Sequence, residues 1–293
     1  MCLFAFLAGC GLPATLTLAD TPVRVLDDAG HAVVLAAPAR RIVSLAPNLT
    51  ELLYAAGAGA AIVGTSEFSD YPAAARDIPR IGGGAGLDIE AIISLQPDLV
   101  VAWQSGNPAG QLERLQALGM TLFLSEPRQL LDVPGTLLRL GQLAGSEPVA
   151  QAAARSFDAR YRDLQRRYSG RPTVTVFYQV WRQPLMTVNG KHLISDVIRL
   201  CGGRNVFSDL PVLAPQIDIE AVLAADPAVI IVGTGGTSET AELQDWNRWP
   251  MLAAVVRGHL YGVQRELLVR HSPRILDGAE ELCRILERVR SDE

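Results

Sequence analysis

The sequence predicts an α/β fold with two similar lobes, joined by one long helix and separated by a cleft. Three observations indicate this fold class. Short β-branched runs alternate with amphipathic stretches, as in βαβ units built on parallel sheets. One amphipathic stretch of about 20 residues interrupts the alternation near the middle of the chain. The second half then repeats a motif of the first.

The first lobe is predicted over residues 40–145. Runs rich in Ile, Val and Leu that are bounded by turn residues predict buried strands at 41–45, 61–64, 99–102 and 121–124. The amphipathic stretches between them predict helices at 48–56, 89–95 and 110–118. Glu51 is expected in the first turn of its helix, where a negative charge favours the helix dipole.

A linking helix is predicted over residues 146–170, before a second lobe at 171–293. Apolar side chains recur at steps of three and four residues, the spacing of one helix face, at Ala153, Phe157, Tyr161, Leu164 and Tyr168. Gly170 and Pro172 end the helix. The run at 173–178 then begins a second series of strands and helices.

The two predicted lobes share a motif at an offset of 130 residues. Asp88-Ile89-Glu90-Ala91 matches Asp218-Ile219-Glu220-Ala221, and each is followed at the same distance by a proline and an apolar run. Chance similarity of two αβ units is the weaker explanation, because four consecutive identities and the proline stay in register.

Composition excludes a disordered chain and disfavours nucleic acid as a partner. Hydrophobic residues make up 49% of the 293 residues, which is enough for large cores. The net charge is -5, and no run of Lys or Arg supplies the basic face that binding to phosphates requires.

An uncharged, apolar leader at residues 1–19 predicts export, with a buried N-terminal helix as the alternative. Leu7-Ala8-Gly9-Cys10 has the form of a lipobox that would leave Cys10 lipid-anchored, whereas Thr17-Leu18-Ala19 suits a plain signal peptidase. No other segment is long and apolar enough to span a membrane. Beyond the leader the cysteines are Cys201 and Cys283, which in an oxidising compartment either pair or remain two separate buried thiols.

Residues just after the predicted strands should line the cleft, because ligands bind beyond the carboxyl ends of parallel strands and between domains. These positions carry large, mostly aromatic side chains, namely Phe68, Tyr71, Trp103, Tyr178, Trp181 and Met186. Such side chains favour a bulky, ring-rich ligand. For Trp103 and Tyr178, a place in a lobe core is an equally supported alternative. The sequence contains no nucleophile elbow, phosphate loop or zinc-protease motif and its four histidines are far apart, so we expect no enzyme, no cofactor and no metal site.

Several segments resemble the periplasmic cobalamin-binding proteins, which belong to the helical-backbone class of solute-binding proteins. The segments are IVSLAPNLTE at 42–51, FSDYP at 68–72, LDIEAI at 87–92, QPDLV at 96–100, GK at 190–191, CGGRNVF at 201–207, PQ at 215–216 and SPR at 272–274. The resemblance runs from about Arg41 to the C-terminus, which is nearly the whole chain after the leader. They are more specific for the class than for cobalamin, because siderophore- and haem-binding relatives share the scaffold.

The resemblance and the loop positions together imply a ligand site formed by Phe68, Tyr71, Trp103, Trp181, Met186 and Arg270. Glu90 and Glu220 fall at the two carboxylates, one on each lobe, that dock onto arginines of a membrane permease. Cys201 and Cys283 match the family's disulfide pair.

The resemblance implies an exported, periplasmic monomer that captures a corrinoid and delivers it to an ABC permease, with membrane contact only through the permease or a lipid anchor. The alternative is a ferric siderophore or haem on the same scaffold. An anionic siderophore would favour a cluster of basic groups, and the loops offer few, namely Arg182, Arg265 and Arg270. The chain departs from the family at Gly84 and Ala214, which replace Trp, and at Leu267-Leu268, which replaces an aromatic stretch; Trp181 can compensate for one of these losses.

Overall fold

The computed structural model describes residues 22–83, 86–235 and 239–292. The predicted leader with its Cys10, and Gly84, lie outside the described residues. Within the described ranges no helix is long and apolar enough to cross a membrane. The remaining chain folds into two α/β lobes.

The first lobe begins with an antiparallel hairpin and continues into a parallel sheet flanked by helices. Its strands are β1 (Val23–Leu26), β2 (Ala32–Leu35), β3 (Ile42–Ser44), β4 (Ile62–Thr65), β5 (Gly82–Gly83), β6 (Gly86–Leu87), β7 (Leu99–Trp103) and β8 (Leu122–Ser125). Its helices are α1 (Pro47–Ala55), α2 (Ile89–Ser94), α3 (Ala109–Ala117) and α4 (Asp132–Ala144). Short 3₁₀ turns cover Gly59–Ala61 and Ala73–Asp77.

The linking helix is α5 (Glu147–Tyr168), and the second lobe follows it. The strands of this lobe are β9 (Val174–Gln179), β10 (Gly203–Asn205), β11 (Val229–Thr234) and β12 (Leu260–Gln264). Its helices are α6 (Leu193–Leu200), α7 (Ile219–Ala225), α8 (Glu239–Gln244), α9 (Ala253–Val256), α10 (Arg265–Val269) and α11 (Ile275–Ser291), with a 3₁₀ turn at Asp245–Arg248.

The two main sheets have the same topology. Their strand orders are β4-β3-β7-β8 and β10-β9-β11-β12, and neighbouring strands are parallel throughout. In each lobe the first strand of the sheet lies between the second and the third. The helices that carry the repeated motif, α2 and α7, precede the third strand of their own sheet. The predicted fold class of two similar α/β lobes is therefore confirmed.

Hydrophobic residues cover both faces of each sheet. Alternate residues of β3 and β7 belong to different cores, since side chains of a strand point to opposite faces. One core runs continuously from α1 and α4 in the first lobe, past α5, to α6 and α11 in the second. Two further cores cover the other faces of the two sheets. A close-packed core that both lobes share restricts motion between them.

The linking helix α5 packs against both lobes along its length. Where α5 crosses α4, a Cβ atom on Gly141 would lie only 2.3 Å from the Cβ of Ala150, so this glycine permits the close approach of the two helices. Further along α5, the buried side chains of Phe157, Leu164 and Tyr168 belong to the core that both lobes share, and Arg160 forms an exposed ion pair with Asp277 of α11 at 2.6 Å. The packing of α5 against both lobes therefore limits their relative motion.

A disulfide joins Cys201, at the end of α6, to Cys283 in α11 with an S–S distance of 2.02 Å. Both residues are buried in the shared core. This confirms the pairing that the family resemblance implies, and it ties the C-terminal helix to the interior of the second lobe.

The β1–β2 hairpin precedes the predicted start of the first lobe and was not expected from the sequence. It packs against α4. The turn between its strands is held by Asp27 Oδ1, which accepts hydrogen bonds from the backbone N–H groups of Ala29 at 3.0 Å and His31 at 2.7 Å. Asp28 N donates to Leu124 O at 2.9 Å, so the hairpin is fastened to the edge strand β8.

Two residues differ from their predicted environments. Helix α1 begins at Pro47, which places Glu51 beyond the first turn, and its side chain is buried. The explanation of Glu51 by the helix dipole is therefore wrong. Tyr178 is fully buried in the shared core, so the core alternative holds for this residue and it does not line the cleft.

Candidate ligand-binding cleft

The lobes meet at loops that follow the carboxyl ends of their strands. Loop 66–71 follows β4, and segment 270–274 follows β12 and α10. Arg270 Nη1 donates to Asp70 Oδ1 across the lobes at 2.7 Å. A depression of about 210 Å³ lies at this contact, with Tyr71 and Arg76 on one side and Gln264 and Glu266 on the other.

A chain of buried hydroxyl groups holds the base of loop 66–71. Ser44 Oγ in β3 lies 2.8 Å from Thr50 Oγ1 in α1, and Thr50 Oγ1 donates to Ser69 Oγ at 3.1 Å. Ser66 Oγ lies 3.2 Å from Ser69 Oγ. The base of the loop is therefore fixed to the sheet and to α1 by side chains that satisfy one another's hydrogen bonds.

Phe68 and Tyr71 project from this fixed base. The Phe68 backbone is left-handed, with φ 63°, a conformation that costs a bulky residue about 1–2 kcal/mol. Its side chain is 75% exposed, and Tyr71 is about half exposed. A strained backbone that presents an uncovered ring at the edge of a cleft is typical of a binding residue.

Trp103 lies deeper, at the end of β7, and is half-buried against the shared core. Its indole lies against the backbone of Gly106, where an added Cβ would come within 2.0 Å of the ring. Its ring also contacts His271 of the other lobe edge-to-face, with 5.8 Å between centroids. The buried indole Nε1 has no hydrogen-bond partner among the described residues. Trp103 thus forms part of the junction between the lobes at the floor of the cleft.

Trp181 and Met186 flank a tight hairpin after β9. Met186 N donates to Trp181 O, and Val180 N donates to Met186 O, both at 3.0 Å. Met186 is half-buried, whereas the Trp181 ring is 50% exposed. The Arg265 guanidinium lies 5.3 Å from the centre of that ring and donates to Gly233 O at 3.0 Å. Trp181 and Arg265 share a depression of about 310 Å³ in the second lobe.

The guanidinium of Arg270 is largely occupied by protein groups. Besides Asp70 it donates to Glu51 Oε1 at 3.0 Å and to Phe68 O at 3.2 Å. Burial alone would raise the pKa of Asp70, but the hydrogen bond and charge of Arg270 hold it below its usual value. Sequence reasoning missed Glu51 as the partner of Arg270; the one available signal was an acidic residue inside an apolar helix.

The other predicted basic groups also have acidic neighbours. Arg182 forms an ion pair with Asp245, and Arg265 Nη2 lies 3.9 Å from Glu242 Oε1. The three arginines that were expected near the ligand are therefore partly neutralised by the protein itself.

Of the two histidines nearest the cleft, His271 is buried and His192 is partly buried, and both are neutral. Burial lowers the pKa of His192 to about 4. Burial and the neighbouring His192 lower the pKa of His271 to about 3. The two rings stack edge-to-face at 5.2 Å, and both ring nitrogens of His271 lack a hydrogen-bond partner among the described residues. Among the residues that the structure describes, no cluster of three or more His, Cys, Asp or Glu side chains could hold a metal ion.

We expect the stability of the protein to fall below pH 6.5 because of this pair. The unfolded chain takes up protons near pH 6.5, whereas the native histidines stay neutral down to about pH 4 and 3. Their stabilising effect is complete above pH 6.5 and is lost progressively as the pH falls, at a cost on the order of 2 kcal/mol per histidine at pH 5. Urea unfolding between pH 8 and 4.5 measures this. In the variant His192→Asn/His271→Gln the free energy of unfolding should depend less on pH. An unchanged pH dependence would show that these two histidines do not cause the loss of stability.

Glu90 and Glu220 occupy the same place in the two lobes. Each is the second residue of its helix, after an N-cap aspartate whose side chain accepts a hydrogen bond from a backbone N–H, Asp88 from Ala91 at 2.9 Å and Asp218 from Ala221 at 2.8 Å. Both glutamates are exposed. Crossover helices run antiparallel to the strands, so both first turns lie at the carboxyl edge of the sheets, where the cleft opens.

Two like lobes, one long helix packed between them and exposed aromatic side chains on loops that follow the strands are the features of a solute-binding protein. A family model described as periplasmic binding protein matches residues 42–267, and the chain belongs to this family. This confirms the class that the sequence motifs indicated.

Individual relatives agree with this assignment. The chain is 38% identical over 253 residues to the vitamin B12-binding protein of Vibrio cholerae, covering 85% of this chain and 90% of that protein. The crystal structure of the periplasmic vitamin B12 binding protein BtuF of Vibrio cholerae superimposes with a TM-score of 0.81 at 37% identity, over 86% of this chain and 98% of that one. A periplasmic haem-binding protein from Pseudomonas aeruginosa superimposes with a TM-score of 0.72 at 25% identity, over 84% and 91% of the two chains.

Proposed function

We propose that this protein captures vitamin B12 in the periplasm and delivers it to an ABC import permease. The observation that carries the proposal is the pair of exposed rings on opposite lobes, Phe68 at 75% and Trp181 at 50% exposure, in a chain whose relatives are named for vitamin B12 binding. Tyr71, Trp103 and Met186 complete the apolar surface. Vitamin B12 is on this view a transported ligand and not a cofactor.

The charges near the cleft favour a corrinoid over an anionic ferric chelate. Arg182, Arg265 and Arg270 each have an acidic neighbour, so few uncompensated positive charges remain for a polyanionic ligand. Haem is the stronger alternative, because the half-exposed phenol of Tyr71 is a group that can ligate ferric iron.

Delivery is proposed to use the matched glutamates. Glu90 and Glu220 present one carboxylate from each lobe at the cleft edge, and we propose that they pair with arginines of the permease. The stiff α5 and the shared core favour small closure on ligand binding, with larger separation of the lobes only on the permease. We also propose that the protein is exported through the leader at residues 1–19 and acts as a monomer. A lipid anchor at Cys10 is one of the two proposed outcomes of leader processing.

Calorimetric titration of the purified chain with cyanocobalamin, haem and a ferric siderophore tests the ligand. We expect saturable one-to-one binding of cyanocobalamin that is much tighter than binding of the other two. Binding of haem alone, with an absorbance change that Tyr71→Phe abolishes, would replace the corrinoid by the alternative. Binding of none of the three would reject the proposed ligand class.

A further inference from the structure

A buried carboxylate of the first lobe is surrounded by donors from the second. Glu51 in α1 is 4% exposed and accepts hydrogen bonds from Ser272 Oγ at 2.6 Å, Arg270 Nη1 at 3.0 Å and Arg274 Nη1 at 3.0 Å. All three donors belong to segment 270–274 of the second lobe. A buried carboxylate requires such partners, because desolvation without them is strongly unfavourable.

Both arginines that bind Glu51 also contact loop 66–71 of the first lobe, called the aromatic loop below because it carries Phe68 and Tyr71. Arg270 donates to Asp70 Oδ1 at 2.7 Å and to Phe68 O at 3.2 Å. The Arg274 guanidinium lies over the ring of Tyr71, 3.9 Å from its centroid. The loop that presents Phe68 and Tyr71 is therefore supported at its outer end by side chains of the opposite lobe.

Phe68 needs this support because of its backbone. Its left-handed conformation, with φ 63°, is unfavourable for a bulky side chain and persists only where the surroundings hold it. The hydroxyl chain fixes Ser66 and Ser69 at the base of the loop. The carbonyl oxygen of Phe68 itself accepts a hydrogen bond from Asp70 N within the loop at 3.0 Å and one from Arg270 of the opposite lobe at 3.2 Å.

We infer that Glu51 is a positioning residue for the ligand site, which holds Arg270 and Arg274 so that they brace Phe68 and Tyr71 in the conformation that binds the ligand. The inference rests on the proposed function. Arg270 and Arg274 belong to the opposite lobe, so separation of the lobes on a permease would break their contacts with the aromatic loop. The loop would then lose the conformation that binds the ligand. Loss of affinity would then be coupled directly to docking.

Glu51→Gln tests the inference, since it keeps the shape of the side chain and removes the charge that holds the arginines. We expect cyanocobalamin to dissociate about tenfold faster from this variant, because the loop is less preorganised. The matched control is Asp196→Asn. Asp196 accepts from Leu130 N across the lobes at 2.7 Å but does not touch the aromatic loop, so this variant should dissociate like the wild type.

A second measurement does not depend on the ligand. Amide hydrogen exchange in the ligand-free protein should become faster at residues 68–71 in Glu51→Gln and stay unchanged there in Asp196→Asn. If Glu51→Gln does not fold, Ser272→Ala and Arg274→Lys replace it, because each weakens one contact and leaves Glu51 with a charged partner. Unchanged exchange in the loop would overturn the inference.

Coupling between residues separates positioning from a general effect on stability. In a Phe68→Ala/Tyr71→Ala background, Glu51→Gln should cause no further loss of affinity, because the loop through which it acts has already lost its rings. Fully additive losses would overturn the inference, as would wild-type affinity in Glu51→Gln. Failure of the wild-type chain to bind cyanocobalamin, with faster exchange in Glu51→Gln, would reject the proposed ligand and leave the bracing role intact.

Discussion

Replacing Phe68 or Trp181 by alanine should weaken cyanocobalamin binding by about 10- to 100-fold each, with little change in the free energy of unfolding. In the free protein Phe68 is largely exposed and Trp181 is half exposed, so removal of either ring opens no cavity in a core. In the complex the same rings would be covered, and each would contribute about 1–3 kcal/mol of apolar and stacking contact. Titration calorimetry measures the affinity and urea unfolding measures the stability.

The choice of control distinguishes a binding site from a merely exposed ring. Val256 is 71% exposed in α9, which leads into the amino end of β12, the edge opposite the cleft. Val256→Ala should leave cyanocobalamin affinity at the wild-type value. Trp103→Ala should lower both the cyanocobalamin affinity and the free energy of unfolding, because this half-buried ring packs on the shared core. If Phe68→Ala and Trp181→Ala both bind like the wild type, the cleft has been placed on the wrong loops.

The architecture of the lobes was predictable because the information is local. Strands buried on both faces leave continuous apolar runs, and strands such as Leu99–Trp103 differ from their predicted bounds by only a residue. The repeated motif predicts that the two lobes are equivalent. In the structure, the helix that carries the motif precedes the third strand of the sheet in both lobes. The β1–β2 hairpin was not predicted because each of its strands has only four residues, and because the exposed face of Ala32–Leu35 carries Ala32 and Val34 instead of polar residues.

The contacts between the lobes were not predictable, because they join residues far apart in the chain. Glu51 and Arg270 are separated by 219 positions, and no periodicity links them. The sequence predicts Arg270 as a ligand-binding residue of the cleft, and the structure shows that its guanidinium pairs with Glu51 and Asp70. The degree of exposure of Trp103 and Tyr178 was undecided for a similar reason, since a strand-end aromatic residue faces either the core or the cleft according to how the opposite lobe packs.

Reversing the charge of both Glu90 and Glu220 to lysine should abolish transport and leave cyanocobalamin affinity nearly unchanged. Both carboxylates are exposed and neither belongs to the aromatic site, so the reversal removes no contact with the ligand. Each N-cap is provided by Asp88 or Asp218 and remains in place, which limits the loss of helix stability to the dipole effect of one residue, about 0.3–1 kcal/mol. A like-charge contact with permease arginines would instead oppose docking by several kcal/mol.

The single reversals and a matched control make the outcome specific. Glu90→Lys and Glu220→Lys should each reduce transporter-stimulated ATP hydrolysis by about tenfold or more. Glu113→Lys changes another exposed carboxylate of the first lobe, in the second turn of α3, and should retain wild-type stimulation. If Glu90 and Glu220 serve only to stabilise the first turns of their helices, their reversal would cause a small loss of stability and no loss of transport. Full uptake by the double variant, in vesicles that hold the cognate permease, would therefore reject the docking role for both residues.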